Sequence, residues 1–475
     1  MFVGRAGEMA AIEERYGSGK FEFGIIYGRR RVGKTTLINE FIKNKRTVFF
    51  TAMETSEHEN LVSLSRSILS LDRESLAAPV FQSFLAALEE VFALARSSRL
   101  VFVIDEYPFL AASYPGISSI LQRLIDENKA SSKLFMIING SSMALMENYF
   151  FNYKRPLYGR KTFQLKIEPF GFFEMKDFFP KTSADVLPYI YGAFGGIPRY
   201  LEDYDEKLSF KKNIIKNYLQ NGAPLLDEPE SILKQEVRDP SNYNAIITAI
   251  AAGSTRYSEI SGKAKLESGN ISGFMSNLMS LNLVKKESPV IEGSRRSLYV
   301  ISDNMIRFWY HFISANLSLI RNARAELAWA QIEPELDAYM GKVFEDIALQ
   351  YLWRINAAPG KSALDKVAGK AELPFAFTDA GRWWGNDPIR KQEAEIDIIA
   401  HDGKKNAIFC ECKWRKQKTG PEVLEELEAK AALPSFAQFT KKRLFLFSRS
   451  TFSPACQKMA EEMGNVRLIE YKEMG

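Results

Sequence analysis

The chain has 475 residues, 46% hydrophobic and 25% charged, a composition that excludes a disordered chain. Domains usually run about 100–200 residues, so the length sets two to four compact units rather than one core. A formal charge of +5 permits contact with nucleic acid without arguing for it, and three cysteines exclude a disulfide framework and suit a reducing compartment.

In chain order, residues 22–28 predict a short buried strand running into a glycine- and arginine-rich turn, and a helix is expected from Lys34 to about Lys43. Further strands are expected at Thr47–Thr51, Leu100–Asp105 and Leu134–Asn139, with apolar residues at helical spacing across Val80–Ala95. Short apolar strands separated by helical stretches predict a parallel sheet covered on both faces. After Pro169 the pattern is helical to about residue 220, around Gly195-Gly196-Ile197-Pro198. Three helices (Tyr243–Ala252, Tyr257–Ala264, Ile271–Asn282) and two strands (Val284–Glu287, Leu298–Ile301) then follow in the order of a winged helix. Residues from Ile306 to about Asn356 read as helical, and Pro374–Arg390 as turn-rich. Beyond lie a hairpin (Glu395–Ala400, Ala407–Trp414), a helix from Glu422 to about Ala432 and a strand at Arg443–Ser448. The expected fold class is α/β multidomain: a parallel-sheet core over 1–168, a helical lid over 169–235, a winged helix over 236–305 and a C-terminal α/β domain over 306–475.

Gly28-Arg-Arg-Arg-Val-Gly33-Lys34-Thr35 matches G-x-x-x-x-G-K-[ST] and stands between a strand and a helix, the context this motif requires. Glycines let successive N–H groups point at a phosphate, Lys34 reaches the β/γ oxygens, and Thr35 offers a hydroxyl to Mg²⁺. The apolar run Val101–Ile104 ends on Asp105, placed to hold the Mg²⁺ shell, and Glu106 can orient or deprotonate the attacking water. Arg31, Val32 and Thr36 complete the expected ATP contacts of the loop. Alone, an Asp-Glu pair after an apolar strand would read as a helix cap.

With Phe2-Val-Gly-Arg5, Tyr27–Thr36, Asp105-Glu106, Gly140-Ser141-Ser142, Leu157-Tyr-Gly-Arg160 and Gly195–Pro198 in view, the whole chain resembles the archaeal-type P-loop ATPases of the AAA+/STAND class. These commonly join such an ATPase to a winged helix and a nuclease-like, DUF234-type domain. The resemblance implies Ser141 at a sensor position near the γ-phosphate, Pro198 beside the nucleotide, and Arg160 as an arginine finger or sensor in cis or on a neighbouring subunit. A finger in trans would make the protein a homo-oligomer. A solvated or ion-paired arginine is the plainer reading of Arg160.

Glu411 and Lys413, two apart on an apolar strand, project from one face roughly 6–7 Å apart, while Cys410 and Cys412 point the other way. If Asp402–Asn406 form the loop, paired residue numbers sum to 808 and Asp397 lies opposite Glu411. Like charges directly opposite are destabilising; a divalent cation held by Asp397 and Glu411 reverses that, with Lys413 placed to orient a water. The cluster looks like the PD-(D/E)XK nuclease pattern, with Glu345 as the upstream acid and Glu395 able to substitute for Asp397. A surface hairpin with a neighbour ion pair is the bland alternative. Cys410 and Cys412 could be half of a zinc site, which only Cys456 and the scattered His58, His311 and His401 could complete.

DNA is the expected partner. Lys404-Lys405, Arg415–Lys418 and Lys441–Arg443 flank the carboxylates, Arg295-Arg296 fall on the expected wing, and Asn270, Ser272 and Asn277 on the third helix. Without a long apolar run, and with Arg5 and Glu8 where a signal peptide would be apolar, the expectation is a cytoplasmic protein without a membrane partner. ATP and Mg²⁺ are the expected cofactors, with a second divalent ion at the C-terminal acids. The functional expectation is an ATP-hydrolysing switch coupled to a DNA-acting nuclease, and the rival is a nucleotide-gated binding or signalling protein that does not cut.

Overall fold

A computed structural model describes residues 2–71, 80–237, 239–291, 297–356 and 373–475, with 268–270 described by backbone alone. The chain divides into two compact units, Met1–Phe170 with Ile197–Glu202, and Gly171–Gly196 with Asp203–Gly475.

In the first unit β1 (Glu22–Tyr27), β2 (Thr47–Thr51), β3 (Leu100–Asp105), β4 (Leu134–Gly140) and β5 (Phe163–Lys166) form an all-parallel sheet in the order β2-β3-β4-β1-β5. Because strand side chains alternate, Phe23, Ile25, Val48, Phe50, Phe102 and Ile104 share one core with Leu88, Phe92 and Leu121 of two helices, Phe84–Ser97 and Ile117–Asn128. On the opposite face Phe135 meets Phe41 of the helix Lys34–Ile42 and Tyr16 of the helix Ala6–Gly17. With both faces covered, β1, β3 and β4 are buried along their whole length. Their carboxyl ends, the site-bearing edge of such sheets, deliver Gly28, Asp105 and Ser141.

The second unit begins with helices. It then has three helices, Pro240–Ala251, Tyr257–Ala264 and Ser268–Ser280, followed by the antiparallel pair β6 (Val284–Glu287) and β7 (Leu298–Ile301). The 21-residue helix Leu336–Asn356 precedes a second sheet: β8 (Asp379–Asp387), β9 (Gln392–His401), β10 (Asn406–Lys413), β11 (Lys441–Ser448) and β12 (Val466–Glu470), in the order β12-β11-β10-β9-β8. Strands β8, β9 and β10 are antiparallel, and β10, β11 and β12 parallel. The helix Pro421–Ala431 makes the crossover from β10 to β11, and its Leu424 and Leu427 pack with Phe409, Ile399 and Trp383.

The stretch Pro374–Arg390 departs from expectation: residues 379–387 are a strand rather than turns. Its irregularity lies between Gly381 and Trp383, where the pairing with β9 shifts register. Strands β5 and β12 were not anticipated either. Among the described residues no helix is long and apolar enough to cross a membrane.

Candidate functional site

The octet after β1 is shaped by its glycines. Gly28 (φ 154°) and Gly33 (φ 89°) hold conformations L side chains rarely adopt, and a Cβ on Gly28 would stand 2.3 Å from the Ile167 carbonyl oxygen. Arg31 is left-handed at φ 69°. Val32 is fully buried and fixes the loop from below. Its carbonyl accepts from Arg5 at 3.1 Å, and Arg5 lies 4.1 Å over the Phe170 ring, so the segment Phe2–Arg5 struts the loop. Lys34 donates to the carbonyls of Gly28 (3.0 Å) and Arg29 (2.9 Å). The Thr35 hydroxyl lies 3.2 Å from Asp105 Oδ2, and Thr36 is exposed. Pro198, first residue of the helix Pro198–Leu201, sits with Cγ 3.7 Å from where a Gly33 Cβ would be.

Asp105 is buried at the end of β3, and burial, then the neighbouring Glu106 charge, raise its pKa against hydrogen bonds from Asn139 and Thr35. Asn139, a fully buried amide inside β4, donates to Asp105 Oδ1. Sequence reasoning passed over it, although a polar residue in an otherwise apolar strand was the available signal. Glu106 adopts a left-handed backbone (φ 52°) and caps no helix with its side chain. Its carboxylate accepts from the Ser141 N–H (3.1 Å) and hydroxyl (3.0 Å). Arg160 pairs with Asp126 at 2.7 Å and donates to the Pro156 carbonyl at 2.7 Å.

The hairpin register is as the loop length dictated: Ala407 pairs with His401 and so on through Cys410 with Ile398, each pair summing to 808. One step further Asp397 Oδ2 accepts the Cys412 N–H at 2.8 Å. Burial, then the charges of Glu345 and Glu411, push the Asp397 carboxyl up to about 7. Glu345, on the helix Leu336–Asn356, is likewise raised by burial. Lys413 donates to Glu411 at 2.8 Å, and Lys430, a residue not singled out beforehand, donates to its other oxygen at 3.3 Å. Helix and sheet thus bring Glu345 and Asp397 to one cavity, while Glu411 is paired with Lys413 and Lys430. Glu395, the proposed substitute acid, is exposed and paired with Arg382. Elsewhere, Asn277 donates to the Tyr243 hydroxyl at 2.7 Å. Arg295, Arg296 and the Asn270 side chain lie outside the described residues.

Residues 2–204 match an ATPase domain predominantly from Archaea, and residues 309–431 match DUF234, archaeal and bacterial proteins of unknown function. An uncharacterised protein of Methanocaldococcus jannaschii is 32% identical over 446 residues, which is 93% of this chain and 94% of that protein. The chain belongs to the archaeal-type ATPases that carry a DUF234 domain. A 46-residue stretch is also 48% identical to an uncharacterised ATP-binding protein of the same organism, covering 10% of this chain and 78% of that one. The Walker-type ATPase of Pyrococcus abyssi shares the fold, with a TM-score of 0.50 at 19% identity over 65% of this chain and 96% of that one.

In this archaeal-type ATPase, the ATPase match contains every loop residue just described, and the DUF234 match contains Glu345, Asp397, Glu411, Lys413 and Lys430. The first site suits a magnesium nucleotide: the Thr35 hydroxyl beside the buried Asp105 carboxylate offers hard oxygen donors, and the buried Lys34 ammonium a counter-cation for phosphate. The second has the donor chemistry of a divalent site but not its geometry. Among the described residues no three His, Cys, Asp or Glu side chains are grouped to hold one ion, and protein cations occupy Glu345 and Glu411.

Proposed function

We propose that the ATPase domain binds Mg-ATP through Gly28, Arg31, Val32, Gly33, Lys34, Thr35 and Thr36, hydrolyses it, and thereby governs a DNA-acting C-terminal module. In this reading Lys34 neutralises the β/γ-phosphates, and Thr35 and Asp105 hold Mg²⁺, whose role is to polarise the phosphoryl oxygens. Asn139 orients Asp105. Glu106, once released from Ser141, orients the attacking water; Ser141 then faces the γ-phosphate and Pro198 borders the nucleotide. Arg160 would reach a nucleotide only by leaving Asp126, on its own subunit or on a neighbour in a homo-oligomer.

The three helices and hairpin of residues 240–301 read as a winged helix. With Asn277 engaged by Tyr243, groove contacts would fall to other residues. The C-terminal module reads as a PD-(D/E)XK nuclease-like domain in which Glu345, Asp397 and Glu411 would hold a divalent ion and Lys413 would orient the attacking water. What supports this reading is that Glu345 and Asp397 line one cavity, with Glu411 near enough that its charge, after burial and Glu345, raises the Asp397 carboxyl. Glu345 on the helix Leu336–Asn356, Asp397 within β9 and Glu411 near the end of β10 bring their charges to bear on one another, and like charges so held are costly without a cation. The cations already on Glu345 and Glu411 favour the second reading, a nucleotide-gated binding or signalling switch that does not cleave.

ATP turnover tests the coupling. Wild type should hydrolyse ATP with Mg²⁺ and respond in rate to added DNA, and Lys34→Ala should do neither. Turnover surviving Lys34→Ala, or indifferent to every nucleic acid, would remove the ATP-to-DNA link.

A further inference from the structure

The loop between the helix Met143–Phe151 and β5 carries a surface that the nucleotide site leaves unused. From Asn148 to Ile167 the chain holds Lys154, Arg155, Arg160, Lys161 and Lys166 and no acidic residue. Arg160 is paired with Asp126 and Lys166 with Glu168, whereas among the described residues Lys154, Arg155 and Lys161 pair with no carboxylate. Two tyrosines stand among these cations with their rings in solvent, Tyr153 at 73% and Tyr158 at 48% exposure. Lys154 Nζ lies 5.6 Å from the centre of the Tyr153 ring, so charge and ring belong to one patch. The loop is also preformed. The N–H groups of Arg155, Tyr158 and Arg160 donate to the carbonyls of Asn152, Arg155 and Leu157 at 3.0, 3.1 and 3.3 Å, in successive turns. Leu157, between the two tyrosines, is buried in the core, and the Asn152 side chain accepts the Lys154 N–H at 3.1 Å. Rings and cations held ready in this way lose little freedom when a partner arrives.

We propose that this loop is a binding surface for single-stranded nucleic acid, with unstacked bases lying on Tyr153 and Tyr158 and the flanking phosphates pairing with Lys154 and Arg155. Every base has a π-face, so such stacking needs no particular sequence, and unpaired cations attract the backbone. A duplex hides its base faces within its own stack and would meet only the cations. An acidic peptide would satisfy Lys154 and Arg155 and leave both rings in water. The proposal goes beyond the coupling above: it places a strand on the ATPase unit itself and requires neither the C-terminal acids nor ATP. The loop runs into β5 at Thr162, whose N–H donates to the Phe23 carbonyl at 2.8 Å near the start of β1, whereas Gly28 follows the far end of that strand. The two tyrosines form no part of the nucleotide site, and their variants should keep basal ATP turnover.

Fluorescence anisotropy of labelled oligo(dT) and oligo(U) of ~20 nucleotides, long enough to cover a single-strand site, tests this on the full chain beside a duplex of equal length. Tyr153→Ala and Tyr158→Ala should each weaken oligo(dT) binding about five-fold or more, the scale of losing one base–aromatic stack. Tyr153→Phe and Tyr158→Phe keep the ring and should bind like wild type. Lys154→Gln combined with Arg155→Gln should flatten the slope of log affinity against log salt by ~1.4, two phosphates at about 0.7 each. Duplex binding should not respond to the alanine changes, and the two oligomers together show whether deoxyribose or ribose strands are preferred. No binding of either oligomer by wild type, alanine variants that bind like wild type, phenylalanine variants that lose as much as alanine ones, or an unchanged salt slope would each overturn the proposal. So would an effect of the alanine changes confined to self-association in sedimentation velocity, which would make this face a contact between copies of the chain. Each of these outcomes leaves the C-terminal reading standing, since that reading is tested by cleavage in Glu411→Ala.

Discussion

Replacing Asp397 by asparagine should stabilise the metal-free protein, and increasingly so as pH rises. Its carboxyl is pushed up to about 7 in the folded chain, against about 3.9 in an unfolded one. Between those values the folded state holds a proton that the unfolded state has released, so stability falls as pH rises from about 4 to about 7 and stays low above. A gap of about 3 in pKa, at ~1.4 kcal/mol for each, sets a ceiling of ~4 kcal/mol. Because burial is the first cause of the shift and Glu345, itself raised, the next, the expected gain at pH 8 is on the order of 2–4 kcal/mol, shrinking to about 1 kcal/mol at pH 5. Asparagine keeps a side-chain oxygen to accept the Cys412 N–H, which now reaches Asp397 at 2.8 Å, so no buried donor is orphaned. Thermal melts of both proteins in EDTA from pH 5 to pH 8.5 should show Tm values diverging, with the variant about 5–10 °C higher at the alkaline end. A constant difference across that range, or a variant melting lower at pH 8, would refute the convergence of acids on which the C-terminal site is built.

Asn139→Ala should lower kcat for ATP about ten-fold or more with nucleotide affinity within about three-fold, because Asn139 acts on Asp105 rather than on phosphate; equal losses in both would make it a binding residue. Arg160→Ala and Asp126→Ala separate a finger from a structural pair, since Arg160 now pairs with Asp126 and holds that carboxyl below its usual range. A finger predicts turnover lost in Arg160→Ala and retained in Asp126→Ala, and a structural pair predicts similar small effects in both. Gly28→Ala should abolish nucleotide binding, measured by fluorescent-nucleotide titration, because its Cβ would strike the Ile167 carbonyl oxygen at 2.3 Å.

Local sequence sufficed wherever one short-range rule decided the structure. The octet with its flanking strand and helix, the buried runs of β1, β3 and β4, and the hairpin register through Cys410 and Ile398 all follow from residue type and spacing. Strand β8 did not, because Gly381, Gly385, Asn386 and Asp387 are turn formers, and what makes it a strand is pairing with β9 and burial of Trp383 against Phe436. Missing β8 hid Arg382, whose partners lie 95, 37 and 13 positions away in number and meet only in the fold. Glu395 and Asp397 share a strand face, and only the helix carrying Glu345 distinguishes the acid that is raised from the one that pairs with Arg382. Asn139 was similar: its strand was legible, but its bond to Asp105 depends on β3 and β4 being neighbours.

In the proposed coupling, ATP turnover at the loop controls a metal-dependent activity of the C-terminal acids on DNA. Linear, supercoiled and single-stranded DNA incubated with Mg²⁺ or Mn²⁺, with and without ATP, beside Lys34→Ala and Glu411→Ala, tests it most directly. Cleavage by wild type that depends on ATP, disappears in Glu411→Ala and loses its ATP dependence in Lys34→Ala is the predicted result. Intact ATP hydrolysis with no cleavage of any substrate, or cleavage undiminished in Glu411→Ala, would contradict it.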